Sequence, residues 1–327
     1  MTDTKEINPY LADAPTVVIE NRKRPLCDVP PMIKGSQPTD NGFLLLTDED
    51  RDNLIRLEPG AEPFIRPLIS AHEFINGHRR WCLWLVDADP KTIRSLPEIK
   101  KRLECVRDFR RQSKKVATVR LADIPYLFAE IRQPQNDYIL VPRHSSENRK
   151  YVPLAFFSSE NIVHDSSIAV PNATLYHFGI LTSAMHMAWM RQVCGRLESR
   201  YRYSNTIVYN NFPWPMNSTD AQKKRVEDAA QVVFDSRKQF PNSILADLYD
   251  PSTMPKVLLD AHQAVDTAVD ACYKKGRFKS DLERLEFLFS LYKQYADAEK
   301  INIQNDKTKC PVQKYKPKQA KSKSGQG

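Results

Sequence analysis

Glycine is scarce. The 327-residue chain has nine, and before Gly325 no two lie within six positions of each other. A phosphate-cradling loop and a dinucleotide fingerprint both need clustered glycines, so both are excluded. The glycine-rich turn that commonly holds S-adenosylmethionine is missing for the same reason. The six cysteines, Cys27, Cys82, Cys105, Cys194, Cys272 and Cys310, form no C-x-x-C pair. That argues against a zinc ribbon or redox motif and leaves reduced, mostly buried thiols. No run approaches the ~20 apolar residues of a membrane span. The start, MTDTKEINPY, lacks the apolar centre of a signal peptide. The expectation is a cytoplasmic protein with no membrane partner.

Positive charge is also scarcer than it looks. The formal charge is +9, but seven lysines and one aspartate from Asp306 onward supply +6 of it. The rest of the chain is almost balanced. Net charge therefore cannot argue for nucleic-acid binding by the folded part, and any such argument needs local clusters.

What is present divides along the chain. Residues 1–40 hold six prolines and read as an extended connector. From Phe43 the chain turns globular. "FLLL", "RRWCLWLVDAD", "DYILVPR" and "YVPLAFF" are short apolar runs bounded by polar or turn residues, which predicts strands. Ser95-Leu96-Pro97-Glu98 predicts a helix start, with the helix running on through "KKRLECVRDFRRQSKK". "IAVPNATLYHFGILTSAMHMAWMRQVCGR" predicts a strand, a turn and one nearly all-apolar, buried helix that Gly195 can end. Past Trp214-Pro215 the periodicity becomes helical. Val226, Ala230 and Val233, then Leu258, Ala261, Val265 and Val269, then Leu285, Leu288, Phe289 and Tyr292 mark three amphipathic helices. The lysine-rich end has almost no apolar residues and is expected to be disordered. The expected fold is α+β: a mixed α/β domain over 41–216, a small all-helical domain over 217–300 and a basic tail over 301–327.

Three catalytic patterns fall short. Asn8-Pro9-Tyr10 lacks the second proline of the N-P-P-[FY] loop of amino-methylating DNA methyltransferases. Asp89 with Glu98-Ile99-Lys100 mimics a D…E-x-K nuclease triplet, but Glu98 sits at a helix start, where acids are favoured anyway. The seven histidines show no metal-ligand spacing, and His186 within "SAMHMAWM" reads as a core histidine.

The most informative stretch is "RLESRYRYSNTIVYNNFPWP", Arg196 to Pro215, with three arginines and five aromatic side chains. If it is extended, Leu197, Tyr201 and Tyr203 share one face, and Glu198, Arg200 and Arg202 share the other. Glu198 and Arg200 then stand side by side. Arginine can donate to O6 and N7 of guanine, and a carboxylate can accept from N4 of cytosine, so the two together can read one base pair in the major groove. Arg191, Arg196, Arg202, Ser204 and Asn205 are candidates for backbone phosphates. The alternative is a plain surface ion pair between Glu198 and Arg200, worth little. In "NNFPWP" the rings of Phe212 and Trp214 alternate with prolines, which favours a structural clamp over base stacking.

"GILTSAMHMAWMRQVCGRLESRYRYSNTIVYNNFPWP" resembles the late part of MmeI-like DNA methyltransferases, the single-chain type IIL restriction–modification enzymes. "INPYLADAPTVVIENRKRPLCDVPPMIKG", "EFINGHRRWCLWL" and "LADLYDPSTMPKVLLDAHQAVDTAVDACY" resemble the same family in the same order, so the resemblance spans about residues 7–300. It implies that 7–40 is the strand leaving a methyltransferase domain, 41–216 a target-recognition domain and 217–300 a helical spacer. It also implies that Glu198 and Arg200 specify a C·G pair in double-stranded DNA. The family's nuclease and adenine-N6 methyltransferase domains, with S-adenosylmethionine and Mg²⁺, are expected on a separate polypeptide, and this chain is expected not to methylate alone. The alternative is a decayed 3′ fragment of such a gene, binding DNA only non-specifically through its lysine tail.

Overall fold

A computed structural model describes residues 7–309. Its first lobe is built on a four-stranded sheet in the order Leu45–Leu46, Trp81–Leu83, Ile65–Ile69 and Ile162–Val163. The helix Pro97–Arg111 presents Ile99, Leu103 and Val106 to Leu44, Leu46, Leu68, Cys82 and Leu83. It starts one residue later than the sequence suggests. Ser95 instead closes the short helix Pro90–Arg94, its hydroxyl donating to the Thr92 carbonyl at 2.7 Å. Arg110, on the same long helix, is fully buried and donates to five carbonyls, those of Pro38, Thr39, Leu121, Ile124 and Leu127. Those carbonyls face inward with no strand to satisfy them. The Pro38, Leu121 and Ile124 carbonyls also accept one loop N–H each, and the guanidinium fork adds a donor to all five, tying two irregular loops to the helix.

A second four-stranded sheet runs in the order Ile33–Lys34, Ser167–Pro171, Tyr138–Pro142 and Ala155–Phe157, antiparallel throughout. Residues 7–34 run through turns, bends and irregular stretches with little regular structure before Ile33, and they are part of the body. Ala12, Ala14, Ile19 and Met32 enter the main core, Arg22 N donates to the Thr206 carbonyl at 2.9 Å, and Leu26 N donates to that of Asn210 at 2.7 Å. Ile33–Lys34 then joins the sheet edge. At Gly35 this strap crosses the chain so closely that a Cβ would lie 2.2 Å from the His164 carbonyl oxygen. Only glycine fits that crossing.

The expected single apolar helix is two, Leu175–Thr182 and Ala184–Val193. Ser183 is extended at ψ 158°, and its hydroxyl caps the second helix by accepting from His186 N. Two helices that are apolar all round give no change of pattern at a break between them, which is why the sequence reads as one. The second helix ends at Val193, before Gly195, which begins a strand instead.

The three expected C-terminal helices are Asp220–Lys238, Lys256–Tyr273 and Asp281–Lys309. The last runs past residue 300, so the expected disordered tail begins as helix; 310–327 lie outside the described residues. These helices do not form a core of their own. Val226, Ala230, Val265, Val269, Leu288 and Phe289 share one continuous core with Trp189, Phe212 and Trp214. Gly179 permits the contact, since a Cβ there would meet Val226 Cγ1 at 2.4 Å. Asp266 adds a polar tie, accepting from Ala184 N at 2.6 Å and from the Tyr151 hydroxyl at 2.7 Å.

Candidate nucleic-acid interface

The arginine–aromatic stretch splits in two. Its first part is a hairpin, Gly195–Leu197 against Arg200–Arg202, extended on one side by His144–Ser145. Its second part is a π-turn over Asn205–Tyr209 that leads into the buried clamp. The hairpin corrects the expectation of one continuous extended segment. Leu197 pairs with Arg200, so Glu198 and Ser199 are the two-residue turn. Of these, only Glu198 has a left-handed φ, 56°. A left-handed first turn residue is the type II′ pattern, where glycine is usual. A two-residue turn also swaps side-chain parity. Residues opposite each other share a face, so Leu197 lies with Arg200 on the exposed face, not with the buried Tyr201 and Tyr203.

The turn nevertheless brings the predicted pair together. Arg200 Nη2 lies 2.6 Å from Glu198 Oε2, and the side chains keep 50% and 75% of their exposure. An ion pair this open contributes little to stability, so either group can change partner cheaply. The tip is braced from behind. The Arg196 guanidinium stacks over the Tyr201 ring at 4.1 Å and donates to the Ser199 carbonyl at 3.1 Å. Glu147 is held below the usual glutamate range by a hydrogen bond from the Ser199 hydroxyl, helped by Arg196 and Arg200.

The other predicted contacts are distributed less evenly. Arg202 is exposed beside the pair and makes no ion pair among the described residues. Arg191 lies at the hairpin's base, bound to Asp281 at 3.1 Å and to the Lys150 carbonyl, so it is engaged in tying helices together. Ser204 bonds Thr206 at 3.0 Å, and Asn205 donates to the Met32 carbonyl at 3.2 Å. Asn205 fastens the hairpin's exit to the strap directly, whereas the Ser204 bond is local, to a threonine that itself donates to Asn21 Oδ1 at 2.8 Å.

Sequence reasoning missed the cations Lys34, Arg132 and Arg143 beside the hairpin, and with them the imidazole of His144. His144 stands opposite Arg202 in the ladder. Burial lowers its pKa, and Arg143, Arg202 and Arg200 lower it further, so it is neutral beside them. These residues are spread over more than a hundred positions, and only the strand pairing brings them together.

The buried half behaves as a clamp. Phe212 and Trp214 are 0% and 1% exposed, ring to ring at 5.7 Å, which leaves no face for a base. His186 is a core histidine, as expected: its Nε2 lies 2.9 Å from the Tyr203 hydroxyl, and burial pushes its pKa down to about 3. The weak catalytic patterns dissolve. Asn8 is buried and its Oδ1 caps a local turn by accepting from Tyr10 N and Ala12 N. Asp89 caps the Pro90–Arg94 helix, and Glu98 pairs with Lys101 at 2.6 Å. Among the described residues no three His, Cys, Asp or Glu side chains are grouped so as to hold a metal ion. No helix there is long and apolar enough to cross a membrane.

Comparison with known proteins agrees with this architecture. Residues 13–216 match the family described as MmeI, target recognition domain, and 218–299 match MmeI, C-terminal domain. DNA methyltransferase A of Bacillus subtilis (strain 168) is 38% identical over 291 residues, which cover 89% of this chain and 33% of that protein. A solved structure of the type IIL restriction–modification enzyme MmeI in complex with DNA superposes with a TM-score of 0.86 at 43% identity, over 90% of this chain and 39% of that one. The chain thus spans about a third of the length of the curated relative it matches. With the mixed sheets, the hairpin and the helical end all accounted for, the chain belongs to the MmeI family and carries its target-recognition and C-terminal domains.

Proposed function

We propose that this chain is a reading module for duplex DNA, in which Glu198 and Arg200 recognise one C·G base pair in the major groove. The observation that carries the reading is the hairpin tip. An acid and a guanidinium meet there at 2.6 Å, exposed, on a turn whose first residue takes a conformation that a glutamate would otherwise avoid. Placing a non-glycine residue in that region costs free energy, and such outliers cluster at functional sites. The exposed pair can open at little cost. Arg200 then donates to guanine O6 and N7, and Glu198 accepts from cytosine N4. The similar MmeI structure in complex with DNA supports DNA as the ligand.

Methyl transfer is assigned to the rest of the family's machinery, supplied by a separate methyltransferase polypeptide or by further chain. S-adenosylmethionine and Mg²⁺ go with that part. The isolated glycines here offer no loop for the cofactor.

The test is selection of bound sequences from a random duplex pool, by the chain alone and by Glu198→Lys/Arg200→Asp. The wild type is expected to enrich a short asymmetric sequence, and the double variant to change one base pair of it. Enrichment of nothing would favour the non-specific fragment. An unchanged sequence with the double variant would remove the pair from the readout. Incubation of the purified chain with labelled S-adenosylmethionine and duplex is expected to transfer no methyl group.

A further inference from the structure

Glu198 sits at a left-handed φ of 56°, where glycine is usual. A larger residue stays in that region only where its surroundings over-determine the backbone. Here the constraint comes from its neighbour. Ser199, the second residue of the turn, is held from two sides. Its carbonyl accepts from Arg196 Nη1 at 3.1 Å, and its hydroxyl donates to the Glu147 carboxylate. Among the described residues Glu198 itself is bonded only through its carboxylate, to Arg200 at 2.6 Å.

Both arms of this grip lead back to Tyr201. The ring is 6% exposed, and Tyr201 lies opposite Ser145 in the ladder. The Arg196 guanidinium stacks on its face at 4.1 Å, and its hydroxyl donates to the Glu147 carbonyl at 3.5 Å. A second Arg196 nitrogen, Nη2, donates to the Arg191 carbonyl at 3.5 Å, in the last turn of the helix Ala184–Val193. The planar guanidinium is thus fixed by one face and two donors, and all three contacts are to the chain itself.

Ser199 lies between the two side chains of the proposed readout. Its peptide links run to Glu198 on one side and to Arg200 on the other. Fixing its carbonyl and its hydroxyl fixes the turn, and with it the directions in which both side chains leave the backbone. We propose that Arg196 and Glu147 are positioning residues for base readout, holding the turn through Ser199 so that Glu198 and Arg200 meet one base pair in a set geometry. This rests on the reading of the tip as a DNA-binding element. It also takes Arg196 out of the phosphate candidates. A preset turn need not be ordered when the correct pair is met, so the grip raises the preference for that pair over others.

The experiment uses the full chain and two fluorescent duplexes, one of the sequence enriched from a random pool and one with the C·G pair inverted. The readout is the ratio of the two affinities, expected at about 5- to 150-fold for the wild type. A merely structural loss reduces the amount of active protein, weakens both duplexes alike and leaves the ratio unchanged. Ser199→Ala and Glu147→Ala each remove the hydroxyl bond, and each is expected to lower the ratio by about 2- to 10-fold. Glu147→Gln keeps an acceptor for the Ser199 hydroxyl and restores the ratio. Arg196→Lys keeps the charge, so a phosphate contact would survive it, whereas the stacked fork would not. Its ratio is expected to fall as far as that of Ser199→Ala. If the two Ala variants and Arg196→Lys all keep the wild-type ratio, the grip is wrong and the reading module stands. If Arg196→Lys alone keeps it, the proposal fails for Arg196, which returns to the phosphate contacts. If Glu198→Lys/Arg200→Asp leaves the enriched sequence unchanged, the tip is not the reader and the grip falls with it.

Discussion

Arg196–Ser204 and Asn205–Pro215 are adjacent, both carry aromatic side chains, and they are opposite in role: the charged residues all fall in the first and the prolines in the second. The first part is an exposed two-stranded tip with one open ion pair. The second is packed so tightly that Val208, Tyr209, Phe212 and Trp214 are at most 1% exposed. Arginines and aromatics near each other in sequence therefore do not identify a binding surface. What separates the halves is whether the rings face solvent or the core, and the prolines beside Phe212 and Trp214 already lean toward the core.

The sharpest way to break this contrast is Trp214→Ala. Removing the ring is expected to cost about 3–5 kcal/mol of stability, read as a fall in the urea midpoint. A variant that stayed as stable as the wild type and lost DNA affinity instead would make the clamp a ligand contact. Acid is the next largest perturbation. His186 and His262 lie in the buried core, both with pKa values depressed by burial. Below the ordinary histidine value near 6.5 the unfolded chain takes up protons that the folded chain refuses. Their stabilising contribution is thus whole above about pH 6.5 and is lost as pH falls towards the folded values, by at most about 1.4 kcal/mol per unit for each histidine. Unfolding midpoints at pH 7.5, 6.5 and 5.5 check this, and His186→Gln should flatten the trend.

The exposed half responds in the other currency. Glu198→Lys/Arg200→Asp is expected to shift discrimination at one base pair by about 1–3 kcal/mol. The same change should leave stability within roughly 0.5 kcal/mol, as exposed substitutions usually do. The smallest effect has the opposite sign. Glu198→Gly relieves the left-handed backbone, so stability should rise by roughly 1 kcal/mol, while preference for the C·G pair disappears. A stability loss would mean that the Glu198 carboxylate, not the readout, explains its place in the turn.

Much of this contrast was legible in the residues. The clamp, the core histidine and the three late helices follow from ring burial and from helical spacing that the packing then uses. The turn at Glu198 was not, because a glutamate at positive φ carries none of the glycine or asparagine signal that marks a hairpin. The parity of Leu197 went wrong with it. The break at Ser183 hid inside apolar sequence on both sides. Arg110 lies among the charges of Arg107-Asp108-Phe109-Arg110-Arg111, and nothing local marks it for burial. Lys34 lies far in sequence from Arg132, Arg143 and His144, and their meeting depends on strand register, which no local pattern encodes.

The single core shared by the clamp and the late helices bears on how specificity can be transplanted. A graft cut between residues 216 and 218, where the two family matches meet, would divide Phe212 from Val226 and Phe289 and leave apolar faces on both pieces. Exchange between relatives is cleaner at the scale of the hairpin tip, whose few side chains can be replaced without asking the interior to repack.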